Sequence, residues 1–415
     1  MARKMKDSGI EWIGEIPEGW EVVPIKRLCT MQAGKNLTSE QIAPEGTYPV
    51  YGGNGIRGFF SDYNCDGQFL TVGRQGALCG NVHKINGKVW ATEHAVITTP
   101  SSYTILDFLY YLLIGMDLNQ YVSSTAAQPG LAVGTLLNLK TCYPCSTLEQ
   151  TQISNYLNTK CSEIDVMLTK TRSSIEEYKK FKQAVITQAV TKGVRGKREM
   201  KDSGVDYIGQ IPAKWVLGKL RNVGDTQNGI SKSSEFFGKG FPFVSYSDVY
   251  KNYSLPFAVS GLVESTPEEQ ERYSVKEGDI FFTRTSETIE EVGFSCVCEK
   301  DIPNATFAGF LIRVRPFSDR LYTPYAKYYF RSTHLRFYLV KEMNLVTRAS
   351  LGQSLLKSMP VLLPPLEEQK EIANYLDAKC AEIDRLIAKK EQLVKELESY
   401  KKGLIYEVVT GKREV

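Results

Sequence analysis

The stretch KDSGIEWIGEIPEGW begins at Lys6, and a near copy, KDSGVDYIGQIPAKW, begins at Lys201. Asp7, Ser8, Gly9, Ile13, Gly14, Ile16, Pro17 and Trp20 all recur at a constant offset of 195, and Trp12 is matched by Tyr207. An internal repeat constrains a fold more than any local propensity, because both copies must solve the same packing problem. A second repeated block follows each first one. LEQTQISNYLNTKCSEIDVMLTK starts at Leu148 and LEEQKEIANYLDAKCAEIDRLIAKK at Leu366. At an offset of 219, Glu149, Gln150, Ile153, Tyr156, Leu157, Lys160, Cys161, Glu163, Ile164 and Asp165 meet identical partners. The chain ends in TGKREV, the middle reads GKREMKDSG and the start reads RKMKDSG. The order is therefore close to cyclic: variable segment, helix, short link, twice over. Between the blocks, residues from about Leu28 to Cys145 share little with those from about Val223 to Pro364. A shared frame with unlike inserts suits one scaffold holding two different readers.

The second block reads as a helix. Its apolar positions are Ile153, Leu157, Ile164, Leu168, Ile175, Tyr178 and Val185, and in the other copy Ile372, Leu376, Ile383, Ile387, Val394, Leu397 and Leu404. Spacings of four, seven, four, seven, three and seven recur in both, which is a coiled-coil seam with a Lys/Glu-rich back. Each helix of about forty residues would be roughly 60 Å long. Neither is stable with its seam exposed, so the two are expected to pair, and the cyclic order makes the pair antiparallel with the inserts at opposite ends. Pro364 and Pro365 force an extended approach to the second helix, and Ser146 or Thr147 caps the first.

The inserts alternate short strands with Gly-rich turns. Residues 48–60, 68–82 and 88–99 read as strands of the first, followed by a helix near Asp107 to Gly115. GFPFVSYSDV, GDIFFTRTSE, EEVGFSCVCE and ATFAGFLIRVRP are strands of the second, followed by a helix near Pro324 to Lys341. GRQGALCGNV and TRTSETIEEVGFSCV each follow one strand and lead to another, so the two inserts read as sharing an α+β fold.

Composition excludes some classes. With 415 residues and 42% hydrophobic content the chain can build two or three domains. No apolar run is long enough to cross a bilayer, and MARKMKDSGIEW lacks the apolar core of a secretory signal, so the cytoplasm is expected. The nine scattered cysteines read as reduced thiols. There is no GxxxxGK[ST] phosphate loop and no [DN]PP[YF] tetrapeptide. Asp377 and Lys379 form a D-x-K, but the first copy has Asn158 in place of the Asp, so a surface pair is favoured over a nuclease centre. Cys142 with Cys145, and Cys296 with Cys298, lie in different inserts; with His83, His94 and His334 the only histidines, no metal site is expected.

The DSGIEWIGEIPEGW and DSGVDYIGQIPAKW openings, the LPPLEEQKEIANYLDAKCAEID block with its LEQTQISNYLNTKCSEID copy, and inserts carrying YGGNGIRG and VGRQGALCGNV resemble, in letters and in order, the specificity subunit of type I restriction-modification systems. YPCSTLEQ departs mildly from LPPLEEQ. The resemblance implies two target recognition domains, each reading half of a bipartite, asymmetric double-stranded DNA site. They would be held apart by two long antiparallel helices in a pseudo-twofold repeat. It divides the chain into residues 1–147, a spacer helix at 148–195, residues 196–365 and a spacer helix at 366–415. It also implies a non-catalytic chain without a cofactor of its own. Two modification subunits holding S-adenosylmethionine and two restriction subunits using ATP and Mg would dock on it, with no membrane involved.

Polar and basic turn residues can reach groove edges and phosphates. In the first insert these are Lys35, Asn36, Asn54, Arg57, Arg74 and Gln75, and in the second Ser231, Lys232, Ser245, Ser247, Arg284, Thr285 and Arg348. A rod of 60 Å bounds the site at roughly 18 base pairs. The competing reading is a coiled-coil adaptor whose inserts bind proteins. The cyclic order further predicts that joining residue 415 to residue 1 and opening the chain near Met200 preserves recognition.

Overall fold

Each fifteen-residue repeat folds into a strap whose turn is written by its own side chains. In the first copy Asp7 accepts from the Gly9 N–H at 2.9 Å and Ser8 Oγ from the Ile10 N–H at 3.1 Å. In the second, Asp202 accepts from Gly204 at 2.9 Å and Ser203 from Val205 at 3.2 Å. Gly9 and Gly14 sit at φ 68°, and Gly204 and Gly209 at 71° and 65°, where a side chain would be strained. The turn closes a two-stranded ribbon, Met5–Asp7 on Glu15–Pro17 and Met200–Asp202 on Gln210–Pro212. Ile16, Trp20, Ile211 and Trp215 are delivered into the core beneath it.

The computed structural model describes residues 3–76, 79–122, 130–286, 291–342 and 349–415. They form two compact units, Met1–Arg172 with Glu391–Val415, and Ser173–Lys390. The first unit draws on both ends of the chain, which is the cyclic order made physical. Gly411 lies so close to Pro17 that a Cβ there would be 2.4 Å from its ring, and Tyr406 donates its hydroxyl to the Trp12 carbonyl at 2.9 Å.

In the first unit a four-stranded sheet runs Cys29–Ala33, Ala95–Pro100, Gln68–Gly73, Val82–Asn86 in spatial order, antiparallel throughout. A three-stranded sheet pairs Tyr48–Gly52 antiparallel with Gly55–Phe60 and parallel with Trp90–Ala91. The second unit repeats this: Gly224–Asn228, Leu311–Pro316, Ile280–Thr283, Ser295–Val297, and then Phe237–Val244 antiparallel to Gly261–Val263 and parallel to Thr306–Phe307. The inserts therefore share one topology, as their strand signals indicated. Strand alternation explains the layering. Ile280 and Phe282 face the core built with the helices, while Phe281 faces the core under the three-stranded sheet. Leu70 and Val72 against Phe69 divide the same way in the first unit.

The first long helix spans Thr147–Lys192 and the second Leu366–Val409, continuing through Gly403. Within the first unit Asp165 pairs with Lys401 at 2.6 Å and Arg172 with Glu398, so the helices run antiparallel. Within the second, Lys182–Asp384 at 2.6 Å and Arg195–Glu371 at 2.8 Å show the same direction. Of the seam residues, Ile153, Leu157, Ile164, Leu168, Ile175, Ile372, Leu376, Ile383 and Leu404 are buried, while Tyr178, Val185, Ile387, Val394 and Leu397 are half-buried. Toward the helix ends the burial shifts to Ile186, Ala189 and Val190, and to Ile405, Val408 and Val409. There each helix packs on a strap and its tryptophan.

The helix expected over Pro324 to Lys341 is two helices, Thr323–Tyr329 and Thr333–Glu342. Ser332 Oγ donates to the Tyr329 carbonyl and lies 3.0 Å from His334 Nδ1, and Arg331 turns its guanidinium onto the carbonyls of Val249, Tyr250, Asn252 and Ser295. Side-chain bonds to the backbone compete with the helical ladder there and break it.

Candidate nucleic-acid interface

Hydrogen bonds at one end of each four-stranded sheet bring the turns of each insert together. In the first unit Gly34 donates to Ala95, Lys35 to Ala91, Thr92 to Tyr51, Ala95 to Thr92, Arg74 to His94 and Leu131 to Arg74, all N–H to backbone carbonyl. In the second, Gly229 donates to Leu311, Ile230 to Phe307, Ala308 to Val244, Leu311 to Ala308, Arg284 to Phe310 and Leu351 to Arg284. The six bonds correspond one to one. They align the two faces residue by residue: Lys35 with Ile230, Asn36 with Ser231, Arg74 with Arg284, Gln75 with Thr285, Glu93 with Gly309 and His94 with Phe310; past Tyr51 and Val244 the chains part, Asn54 lying in a hairpin turn and Ser247 in the helix Tyr246–Lys251.

Glycine makes this junction possible. A Cβ on Gly34 would sit 2.2 Å from the Ala91 carbonyl oxygen, and one on Gly229 would sit 2.2 Å from those of Phe307 and Ala308. The chain leaving the four-stranded sheet crosses the three-stranded sheet with no room for a side chain. The repeat fades at about Leu28, yet the offset of 195 continues past it: Gln32, Gly34 and Glu40 match Gln227, Gly229 and Glu235. Extending the register would have found the pair. Glu93, His94, Gly309 and Phe310 carried no such signal.

Most of the singled-out residues meet here. Asn54 is exposed and accepts from Asn81 Nδ2 at 2.8 Å, and a Cβ on the neighbouring Gly53 would lie 2.9 Å from the Gln75 carbonyl oxygen. Lys35 and Asn36 are exposed; Arg74, Gln75, Arg284 and Thr285 are half-buried; Ser231 and Ser247 are exposed. Arg57, exposed, lays its side chain across Gly52 on the paired strand. Ser245 is already engaged as the N-cap of the helix Tyr246–Lys251, exchanging hydrogen bonds with Asp248. Lys232 is ion-paired with Glu269 at 2.7 Å and holds that carboxyl below its usual range. Arg348 lies outside the described residues. In the first unit a groove of about 1270 Å³ opens from the Asn54 turn along the helix face from Asn158 to Arg172. Lys84, Lys170, Lys401 and Lys402 edge it. His83, beside it, is held below its ordinary pKa by burial and is neutral near pH 7.

The frame is repeated side chain by side chain. Arg3 and Trp20 both bond Glu149, with the guanidinium 5.5 Å from the indole centre; Arg198 and Trp215 both bond Glu368, at 5.4 Å. Gln150 accepts from the Ile105 N–H and Gln369 from the Tyr322 N–H, each at 2.8 Å. Asp377 accepts from Lys327 at 2.8 Å and Tyr328 at 2.6 Å while Lys379 pairs with Glu382, so the D-x-K is two separate surface contacts. All nine cysteines are unpaired, and burial pushes the Cys142 thiol up to about 12, keeping it protonated. Among the described residues no cluster of three metal-binding side chains occurs, and no helix is long and apolar enough to cross a membrane.

The family described as "Type I restriction modification DNA specificity domain" matches residues 17–177 and again 212–397. The chain is similar to the EcoprrI type I restriction enzyme specificity subunit of Escherichia coli, 45% identical over 121 residues, which is 28% of this chain and 30% of that one. It is 25% identical to the MjaVIII specificity subunit of Methanocaldococcus jannaschii over 96% of this chain and 93% of that one, and 24% identical to the EcoKI specificity subunit of Escherichia coli K12 over 90% and 84%. Among solved structures, one described as showing "complex assembly and conformational transition of the type I R-M system" matches with a TM-score of 0.71 at 16% identity, covering 96% of this chain and 99% of that one. The fold, the doubled frame and the doubled family match agree, and the chain belongs to the type I restriction-modification DNA specificity family.

Proposed function

We propose that this chain reads a bipartite, asymmetric double-stranded DNA site, one half with each insert, and performs no chemistry itself. The observation that carries this is the residue-by-residue correspondence of the two insert faces. Six hydrogen bonds are common to both, while the side chains they display differ except at Arg74 and Arg284. Equal scaffolds with unequal side chains are what two different half-sites require. Residues 1–147 and 196–365 are the readers, and the segments 148–195 and 366–415, which carry the long helices Thr147–Lys192 and Leu366–Val409, are the frame. Of the candidate residues, Lys35, Asn36, Asn54, Arg57, Arg74 and Gln75 serve the first half, and Ser231, Ser247, Arg284 and Thr285 the second. Lys232 and Ser245 support them through the Glu269 pair and the helix cap.

The repeated frame offers equivalent surfaces for two modification subunits, which would supply S-adenosylmethionine. Two restriction subunits would supply the ATP and Mg chemistry, all in the cytoplasm. Selection from a random duplex library tests the reading: two conserved elements separated by a constant number of unread base pairs should be enriched. An adaptor that binds only proteins enriches none.

A further inference from the structure

Two readers in one chain form an internal experiment, because what they share cannot be what makes their targets differ. Around the six common hydrogen bonds, one charged side chain is the same in both: Arg74 and Arg284. Each follows directly on the third strand of its four-stranded sheet, Gln68–Gly73 or Ile280–Thr283. Both backbones are fixed on each side, Arg74 between His94 and Leu131, Arg284 between Phe310 and Leu351. Both side chains are half-buried. Among the described residues neither guanidinium has an ion-pair or side-chain hydrogen-bond partner, whereas Lys232, Arg313, Arg315 and Arg331 in the second unit are all engaged. A half-buried cation held on a fixed backbone, without a partner among the described residues, is poised for an anion from outside.

Neighbouring positions behave in the opposite way. Asn36 is answered by Ser231, Gln75 by Thr285, and His94 by Phe310. Each pair differs in the donors, acceptors or apolar surface that a base edge would meet. Phosphates are the same at every half-site, and bases are not.

Resting on the DNA-recognition reading, we propose that Arg74 and Arg284 are matched phosphate anchors. They grip the DNA backbone in the same way at both half-sites, while the non-identical positions beside them read bases. The arginines set register and affinity, and their neighbours set sequence.

The test is equilibrium binding and duplex selection with the full chain, co-expressed with its modification subunits, as wild type, Arg74→Gln, Arg74→Lys, Arg284→Gln and Arg284→Lys. Each Gln variant is expected to select the wild-type sequence, to bind it about tenfold more weakly near 0.15 M salt, and to lower the slope of log affinity against log salt by about 0.9. Each Lys variant restores the slope, because a point charge suffices for a phosphate. A Gln variant whose selected site becomes degenerate at one base pair with the slope unchanged overturns the proposal, as does one that binds like wild type. Loss of all binding in both the Gln and the Lys variant of one arginine assigns it a structural role and also overturns it. A wild-type chain that selects no sequence would instead defeat the DNA-recognition reading itself.

Discussion

Trp215 donates its indole N–H to Glu368 at 3.0 Å, and Trp20 donates to Glu149 at the same distance. The geometry is repeated but the burial is not. The Glu368 side chain is 3% exposed, whereas the Glu149 side chain is 28% exposed and its Arg3 partner 31%. Removing a carboxylate strands its buried partners, so the cost follows burial. Glu368→Ala should destabilise its unit by about 3 kcal/mol, and Glu149→Ala by about 1 kcal/mol. Urea unfolding followed by tryptophan fluorescence measures both; equal losses would show that burial does not govern this contact.

The glycine junction makes a sharper claim. Gly34→Ala or Gly229→Ala places a methyl 2.2 Å from a carbonyl oxygen, which must push the two sheets apart. Each should cost about 1–3 kcal/mol and remove recognition of its own half-site while leaving the other intact. Gly19→Ala, where a Cβ meets nothing within 4 Å, should be neutral. Selection with each variant checks this, with circular dichroism reporting the fold.

His334 links stability to pH. Burial, with the nearby Lys192 charge adding to it, holds its pKa at about 3 against an ordinary 6.5. Below pH 6.5 the unfolded chain takes up a proton that the folded chain refuses. Stability therefore falls as pH drops through 6.5 and levels off below about 3. The loss between pH 7 and pH 5 is about 2 kcal/mol, and His334→Gln should remove it. Unfolding of both chains across that range decides the matter; parallel pH profiles would contradict the assignment.

Much of this architecture was legible in the letters, for a physical reason. The strap and the helix starts are local patterns that touch each other, so Trp20 with Glu149 and Trp215 with Glu368 had to be kept together and show as repeats. Gly34 and Gly229 were equally constrained, by backbone approach, but their neighbours are not, and the register was lost among changing side chains. Polar turn residues carry less information. Lys232 and Ser245 look like readers in sequence, yet one is neutralised by Glu269 and the other caps the helix Tyr246–Lys251, accepting from the Asp248 N–H. The seam spacing was legible until the last turns of the first helix, where Ile186 rather than Val185 is fully buried and packs in one core with the strap.

A cyclic frame should tolerate new ends. In the first unit Arg3 holds Glu149 from the segment ahead of its strap, and Arg198 holds Glu368 in the same way. Joining Val415 to Met1 through a short linker and opening the chain between Gly196 and Lys197 leaves both clamps intact. The permuted chain should select the wild-type duplex; a permutant that folds but selects a different gap or sequence would contradict the equivalence of the two frames.

Exchange of one reader is the most direct measurement. Residues 28–145 are replaced by the corresponding segment of another member of the family, and the modified site is mapped in cells carrying the complete system. Two independent readers on one repeated frame predict that the first half-site changes to the donor's while the second half-site stays as it was. A change in both halves, or in neither, would contradict that division of labour.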